Sequence, residues 1–182
     1  MEGLKTYSLK DVEQLIKTRA GETKFGERIQ FIKDLEDLAT MDAKYVLFGI
    51  PEDIGVLGNL GKPGASKAWK CCLNSLLNIQ ANQYTKPEKM ILLGEVECGE
   101  AMHKASNIDP TDPNYHVKLG DIIVSIDKTV QQIVAKIISA GKIPIVIGGG
   151  HNNAYGNIKG ASEALKKPLN VLFLRNSWDN LR

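Results

Sequence analysis

The chain has 182 residues, of which 43% are hydrophobic and 24% charged, a composition typical of a globular protein. Its 23 basic and 21 acidic residues leave a formal net charge of +2, too balanced for a protein that works on nucleic acid or an anionic membrane surface. No apolar stretch approaches the ~18 residues that a membrane span needs. The three cysteines include the adjacent pair Cys71 and Cys72, so we expect reduced thiols and a cytoplasmic protein.

Residues 1–42 are predicted to form a helical extension that packs on the main domain. Ser8 can cap a first helix, which continues with apolar side chains at helical spacing. A second set of apolar residues recurs at three-residue spacing further on, at Ile29, Ile32, Leu35 and Leu38. Both patterns favour helices, separated by a loop near Gly26.

From Tyr45 onward, short apolar runs alternate with helical patterns. The predicted strands cover residues 45–50, 90–94, 143–147 and 170–174. The predicted helices cover residues 65–79, 122–138 and 152–166, and residues 99–119 show no clear periodicity. Continuous apolar runs are typical of strands that are buried on both faces of a parallel sheet. The alternation predicts a single α/β domain over residues 1–182 with a mostly parallel sheet.

Two glycine-rich loops follow predicted strands, and ligands bind at the carboxyl ends of strands in open α/β sheets. The first runs from Gly49 to Ala65 and contains Glu52 and Asp53, which we expect to shape the loop. The second, Gly148–Gly156, presents His151 at a helix start, where a neutral imidazole can ligate a divalent metal. Alternatively, the glycines make only a tight turn and His151 caps the helix. Phosphate binding is the weaker option, because the glycine patterns of known phosphate loops are absent.

Both loops resemble motifs of the ureohydrolase family, which comprises arginases, agmatinases and formimidoylglutamases. The second loop resembles the family's first metal-ligand motif, and its triple glycine is similar to the formimidoylglutamase branch. The first loop is similar to the family's N-terminal glycine-rich signature, with Lys62 where arginine is commoner. Glu95 stands at a strand end where the family usually has aspartate. The matching segments read Gly148-Gly149-Gly150-His151-Asn152-Asn153-Ala154-Tyr155-Gly156 and Gly49-Ile50-Pro51-Glu52-Asp53-Ile54-Gly55 with Gly61-Lys62-Pro63-Gly64-Ala65.

The resemblance implies a three-layer α/β/α sandwich around a mostly parallel, arginase-like sheet. It also implies two manganese ions at the strand ends, which activate a water molecule for attack on the trigonal carbon of a linear amidine such as formiminoglutamate or arginine. His151 matches a histidine that ligates one of these ions. Imidazole and aspartate oxygens suit Mn²⁺.

The sequence departs from the family at the second metal motif, Asp-x-His-x-Asp. Aligned without gaps, Arg175 and Ser177 replace the bridging aspartate and the histidine, and only Asp179 matches. A guanidinium in the bridging position repels a dication and keeps its proton at any physiological pH. The third motif is absent from the sequence. The predicted metal ligands are therefore His151 and Asp179, and we expect partial manganese binding at most and no hydrolysis.

The same departures affect the expected architecture. Residues 175–182 form an atypical tail, and the C-terminal part of the family's sheet is missing. The exposed half-sheet is expected to be apolar and to favour a homo-oligomer or self-association. Two alternatives stay open: a non-catalytic α/β module that uses this half-sheet for binding or assembly, and a fragment of a longer protein. Small-molecule amidines are the expected partners if the chain is active, with neither nucleic acid nor membrane.

Overall fold

A mixed sheet forms the centre of the computed structural model, which describes residues 1–172. Within these residues the strands are β1 (Leu4–Thr6), β2 (Gln30–Phe31), β3 (Tyr45–Gly49), β4 (Met90–Val96) and β5 (Ile143–Ile147). Their order is β1-β4-β3-β5, and β2 also pairs with β4. β1 is antiparallel to β4, whereas the pairs β2–β4, β3–β4 and β3–β5 are parallel.

Helices follow most of the strands. They are α1 (Leu9–Val12), α2 (Ile54–Gly58), α3 (Ala68–Leu76), α4 (Gly99–Ser106), α5 (Tyr115–Ser139) and α6 (Ala154–Leu165). α5 has the clearest apolar periodicity in the sequence, and it buries residues at three- and four-residue intervals, such as Ile126, Val130, Ile133, Val134 and Ile137. None of the helices in the described part of the chain is long and apolar enough to span a membrane.

The side chains of β3 alternate between two hydrophobic cores. Val46 and Phe48 point into the core that contains Ile133 of α5, whereas Leu47 points into the core that contains Trp69 of α3. The sheet is therefore covered by helices on both faces, as strands buried on both sides require. The predicted three-layer α/β/α arrangement is confirmed.

The helical prediction for the N-terminal residues is wrong in most places. β1 and β2 are strands that pair with β4, and residues Leu35–Thr40 form a 3-10 helix. The apolar spacing misled the prediction because its members do not share one face: Ile29 packs in the core of α3, whereas Ile32 and Leu35 pack in the core of α5. The packing of this segment into both cores agrees with its expected attachment to the rest of the chain.

β5 lies at the edge of the sheet and, within residues 1–172, pairs with β3 alone. Residues 170–172, where the sequence predicts a fourth buried strand, are not in a strand. Residues 173–182, which include Asp179 and the atypical tail, lie outside the described part of the chain. Large apolar side chains at this edge and just after α6 are exposed: Ile143 by 43%, Val171 by 45% and Leu172 by 82%. The single domain over residues 1–182 stays a prediction.

Pro144 is the only proline of β5, and its backbone nitrogen lies on the side of the strand away from β3. The Ile143 N–H donates to the Lys44 carbonyl at 2.9 Å, and the Ile147 carbonyl accepts from the Ile50 N–H at 3.0 Å. Alternate residues of a parallel strand face the same neighbour, so 143, 145 and 147 face β3 and Pro144 faces the free edge. Proline therefore removes no hydrogen bond from the β3–β5 ladder.

Candidate functional site

The two glycine-rich loops meet at the carboxyl ends of β3 and β5, as the sequence predicts. These strands are parallel neighbours in register, with Gly49 opposite Ile147. The chain therefore leaves both strands at the same edge of the sheet, where parallel α/β folds place their ligands. The fold thereby brings Glu52 to within hydrogen-bonding distance of Gly150 and Asn153, which lie about a hundred positions further along the chain.

Glu52 links the two loops through four hydrogen bonds. Its side chain is fully buried, at 0% exposure. Oε2 accepts from the backbone N–H groups of Ile54, at 2.6 Å, and Gly55, at 3.3 Å. Oε1 accepts from the Gly150 N–H at 2.8 Å and from Nδ2 of Asn153 at 2.7 Å. The buried carboxylate thus ties the start of α2 to the turn after β5.

Asp53, the next residue, organises only the first loop. Its carboxylate accepts from the N–H of Gly64 at 2.9 Å, the N–H of Ser66 at 3.1 Å and the Ser66 hydroxyl at 2.5 Å. Burial of the group raises its pKa, but these hydrogen bonds outweigh burial and hold the pKa of Asp53 below its ordinary value. The prediction that Glu52 and Asp53 shape the first loop is confirmed.

The turn before His151 depends on glycine. Gly148 and Gly149 have φ values of +94° and +77°, which side-chain-bearing residues rarely adopt. A Cβ on Gly149 would also overlap Nδ2 of Asn153 and come within 3.0 Å of Oε1 of Glu52. The close approach of this backbone to the Glu52–Asn153 pair therefore excludes any larger residue.

His151 is the first residue of a short 3-10 helix, His151–Asn153, that leads into α6, and its side chain is exposed. The residue at the capping position is Gly150, so the interpretation of His151 as a helix cap is wrong. Next to it, both polar side-chain atoms of Asn152 and Oδ1 of Asn153 are buried without a hydrogen-bond partner in the described residues. The turn therefore offers an accessible imidazole beside unsatisfied polar groups.

The His151 imidazole is chemically suited to be one ligand of a metal site. An exposed imidazole at the strand-end edge is a suitable ligand for Mn²⁺. Residues 1–172, however, contain no group of three or more His, Cys, Asp or Glu side chains placed to hold a metal ion. The other predicted ligand, Asp179, lies outside these residues. The described part of the chain thus has one accessible histidine at this edge and no cluster of metal ligands.

Other candidate groups do not join this site. His103 and His116 are exposed on α4 and α5, in agreement with a surface position. Cys98 is buried, and burial together with Glu52 and Glu95 raises the pKa of its thiol to about 12, so it is not a nucleophile at neutral pH. All three cysteines are free.

A cavity of ≈ 790 Å³ lies at the end of β4, lined by Lys5, Trp69, Lys70 and Glu95 among others, and His151 is not part of it.

Known proteins resemble this chain over most of the described fold. The sequence profile of the arginase family matches residues 43–174, which is more than half of the chain. A formimidoylglutamase from Chromobacterium violaceum is 30% identical over 118 residues, which cover 65% of this chain and 31% of that protein. The crystal structure of Trypanosoma cruzi formiminoglutamase with Mn²⁺ superposes with a TM-score of 0.46 at 20% identity, over 79% of this chain and 41% of that chain.

The chain spans about a third of the length of the curated relative that it matches. The family match begins just before β3 and includes both glycine-rich loops and the His151 turn. The protein belongs to the arginase family.

Proposed function

We propose that this chain provides the His151 side of a manganese-dependent amidine hydrolase site and that its 182 residues do not catalyse hydrolysis alone. The observation that carries this proposal is the exposed His151 imidazole at the carboxyl end of β5, in a turn that the family match includes. The matched relative is named for the hydrolysis of a formimidoyl group on glutamate, which makes a linear amidine the favoured substrate class.

In such a site, the metal supplies the positive charge that makes water a nucleophile at neutral pH. The role proposed for this chain is to hold the His151 imidazole at the strand-end edge. The glycine turn does so by leading the backbone away from β5 with positive φ values at Gly148 and Gly149. Arg175 and Ser177, at positions where the family has metal ligands, support the proposal that the second half of the site is not formed by this chain.

Release of formamide or urea tests this proposal. The purified chain is incubated with Mn²⁺ and either formiminoglutamate or arginine, and His151→Ala is assayed in parallel. We expect both proteins to release no more product than a buffer blank. Hydrolysis by the wild-type chain that is lost in His151→Ala would overturn the proposed inactivity.

A non-catalytic binding or assembly module is the second candidate function. The observation that favours it is the edge position of β5 within the described residues, where the apolar side chain of Ile143 is 43% exposed. An edge strand with apolar neighbours is a surface on which chains associate. The three free cysteines support a reducing, cytoplasmic location for either function.

A further inference from the structure

The Glu52 side chain contacts both glycine-rich loops, and two of its hydrogen-bond partners flank His151 in sequence. Its Oε1 accepts hydrogen bonds from Gly150 at 2.8 Å and from Asn153 at 2.7 Å, on either side of the histidine. Oε2 is held by the N–H groups of Ile54 and Gly55 at the start of α2. The Glu52 carboxylate therefore connects the turn around His151 directly to the loop that follows β3.

We infer that Glu52 is a positioning residue for His151: its buried carboxylate fixes the turn that presents the imidazole at the strand-end edge. This inference rests on the proposed function in so far as His151 is taken as the functional group. The carboxylate acts only through the backbone and Asn153, since Glu52 itself is fully buried and has no access to a ligand.

Only a carboxylate can make this set of hydrogen bonds. All four partners are donors, and two of them converge on each oxygen. Glutamine would replace one oxygen with an NH₂ group, which cannot accept a hydrogen bond. The two buried N–H groups at that position would then face the glutamine NH₂ group and would have no acceptor. Leaving buried donors unsatisfied costs more stability than the loss of an exposed hydrogen bond. Glu52→Gln should therefore displace one of the two loops.

Asp53 provides a matched control. It is the adjacent carboxylate, 5% exposed, and it also accepts backbone N–H groups, but those belong to Gly64 and Ser66 and not to the His151 turn. Asp53→Asn makes the same change of charge, but its Oδ1 can keep both backbone N–H groups and its Nδ2 can donate to the Ser66 hydroxyl, so it should cost less stability. If Glu52 acts on His151 by position, the two variants will differ at the imidazole.

The test is NMR of the metal-free protein, with the His151 resonances assigned by comparison with His151→Ala. We expect Glu52→Gln to shift the imidazole signals of His151 while those of His103 and His116 stay in place, and Asp53→Asn to leave all three in place. In the wild type, the Gly150 amide should exchange with solvent at least about tenfold more slowly than the amide of exposed Gln83, because the Gly150 N–H donates to a buried carboxylate.

Three results would overturn the inference: an unchanged His151 signal in Glu52→Gln, an equal shift in Asp53→Asn, or an unprotected Gly150 amide in the wild type. The amide measurement needs no variant, so it decides even if Glu52→Gln fails to fold. Addition of Mn²⁺ separates this inference from the proposed function. If Mn²⁺ does not broaden the His151 signals of the wild type, the proposed metal role fails, while the metal-free shifts still decide the role of Glu52.

Discussion

At the scale of single residues, the clearest constraint is the contact between Gly149 and the Glu52–Asn153 pair. Gly149 combines a φ of +77° with a Cβ position that would overlap Nδ2 of Asn153. Gly141 has a similar φ of +73°, but nothing lies within 4 Å of its Cβ position. The two glycines therefore separate the effect of backbone strain from the effect of the lost contact.

We predict that Gly149→Ala lowers the free energy of unfolding by about 3 kcal/mol or more, because strain adds to the disruption of a buried hydrogen-bonded carboxylate. Gly141→Ala should cost only about 1 kcal/mol, from strain alone. Urea denaturation of both variants measures the difference. Equal losses would contradict the close packing of the turn against Glu52.

Asp127 on α5 gives a prediction about pH. Burial, together with the negative charge of Glu52, raises the pKa of its carboxyl from 3.8 to about 6, and its Oδ1 is buried without a partner in the described residues. The folded protein therefore binds a proton more readily than the unfolded chain between these two values. Stability from this group is present below the lower value and is lost as the pH rises through the upper one.

Asp127→Asn removes this loss. We expect the variant to gain stability relative to the wild type as the pH rises from 4 to 7, with most of the change completed near pH 6. Urea denaturation of the two proteins at a series of pH values measures the difference. A constant difference in the free energy of unfolding would show that the carboxyl titrates normally in the folded protein.

At the scale of the secondary-structure elements, the two sides of β5 should respond differently to substitution, because within residues 1–172 only one side pairs with another strand. Pro144 faces the free edge, whereas Ile145 faces β3. Pro144→Val should preserve the fold and add a hydrogen-bond donor to the edge, so we expect stronger self-association. Ile145→Pro should remove a ladder hydrogen bond and destabilise the sheet.

Light scattering over a concentration series, combined with circular dichroism, distinguishes these variants. Greater mass for Pro144→Val with unchanged secondary structure is the expected result. An intact fold in Ile145→Pro would contradict the assignment of Ile145 to the β3 side, and an unchanged mass for Pro144→Val would contradict association through this edge.

The central strands could be predicted from the sequence because residues buried on both faces leave a continuous apolar run. β1 and β2 could not, since strands of three and two residues are too short to show a pattern. α4 was missed because only Ala105 of its residues is buried, so it carries no apolar stripe. His151 could be recognised from its glycine turn, but the contact from Glu52 spans 98 residues and depends on the β3–β5 pairing. Local sequence holds no signal for such a contact.

At the scale of the whole molecule, the described residues form an arginase-like sheet with β5 at its edge, and the proposed site lies at the carboxyl ends of β3 and β5. They supply a sheet buried by helices on both faces, an exposed histidine and a buried carboxylate that holds the histidine turn. They do not supply a cluster of metal ligands within residues 1–172. A small net charge of +2 offers little repulsion between copies, which agrees with the expected self-association through the apolar edge.

The most direct test of this account is calorimetric titration of the purified chain with Mn²⁺, with His151→Ala as the control. We predict one weakly bound equivalent, which is lost in His151→Ala, because a single imidazole leaves most coordination positions to water. Tight binding of two equivalents that disappears in His151→Ala would contradict the account, since it would require a complete set of ligands within this chain.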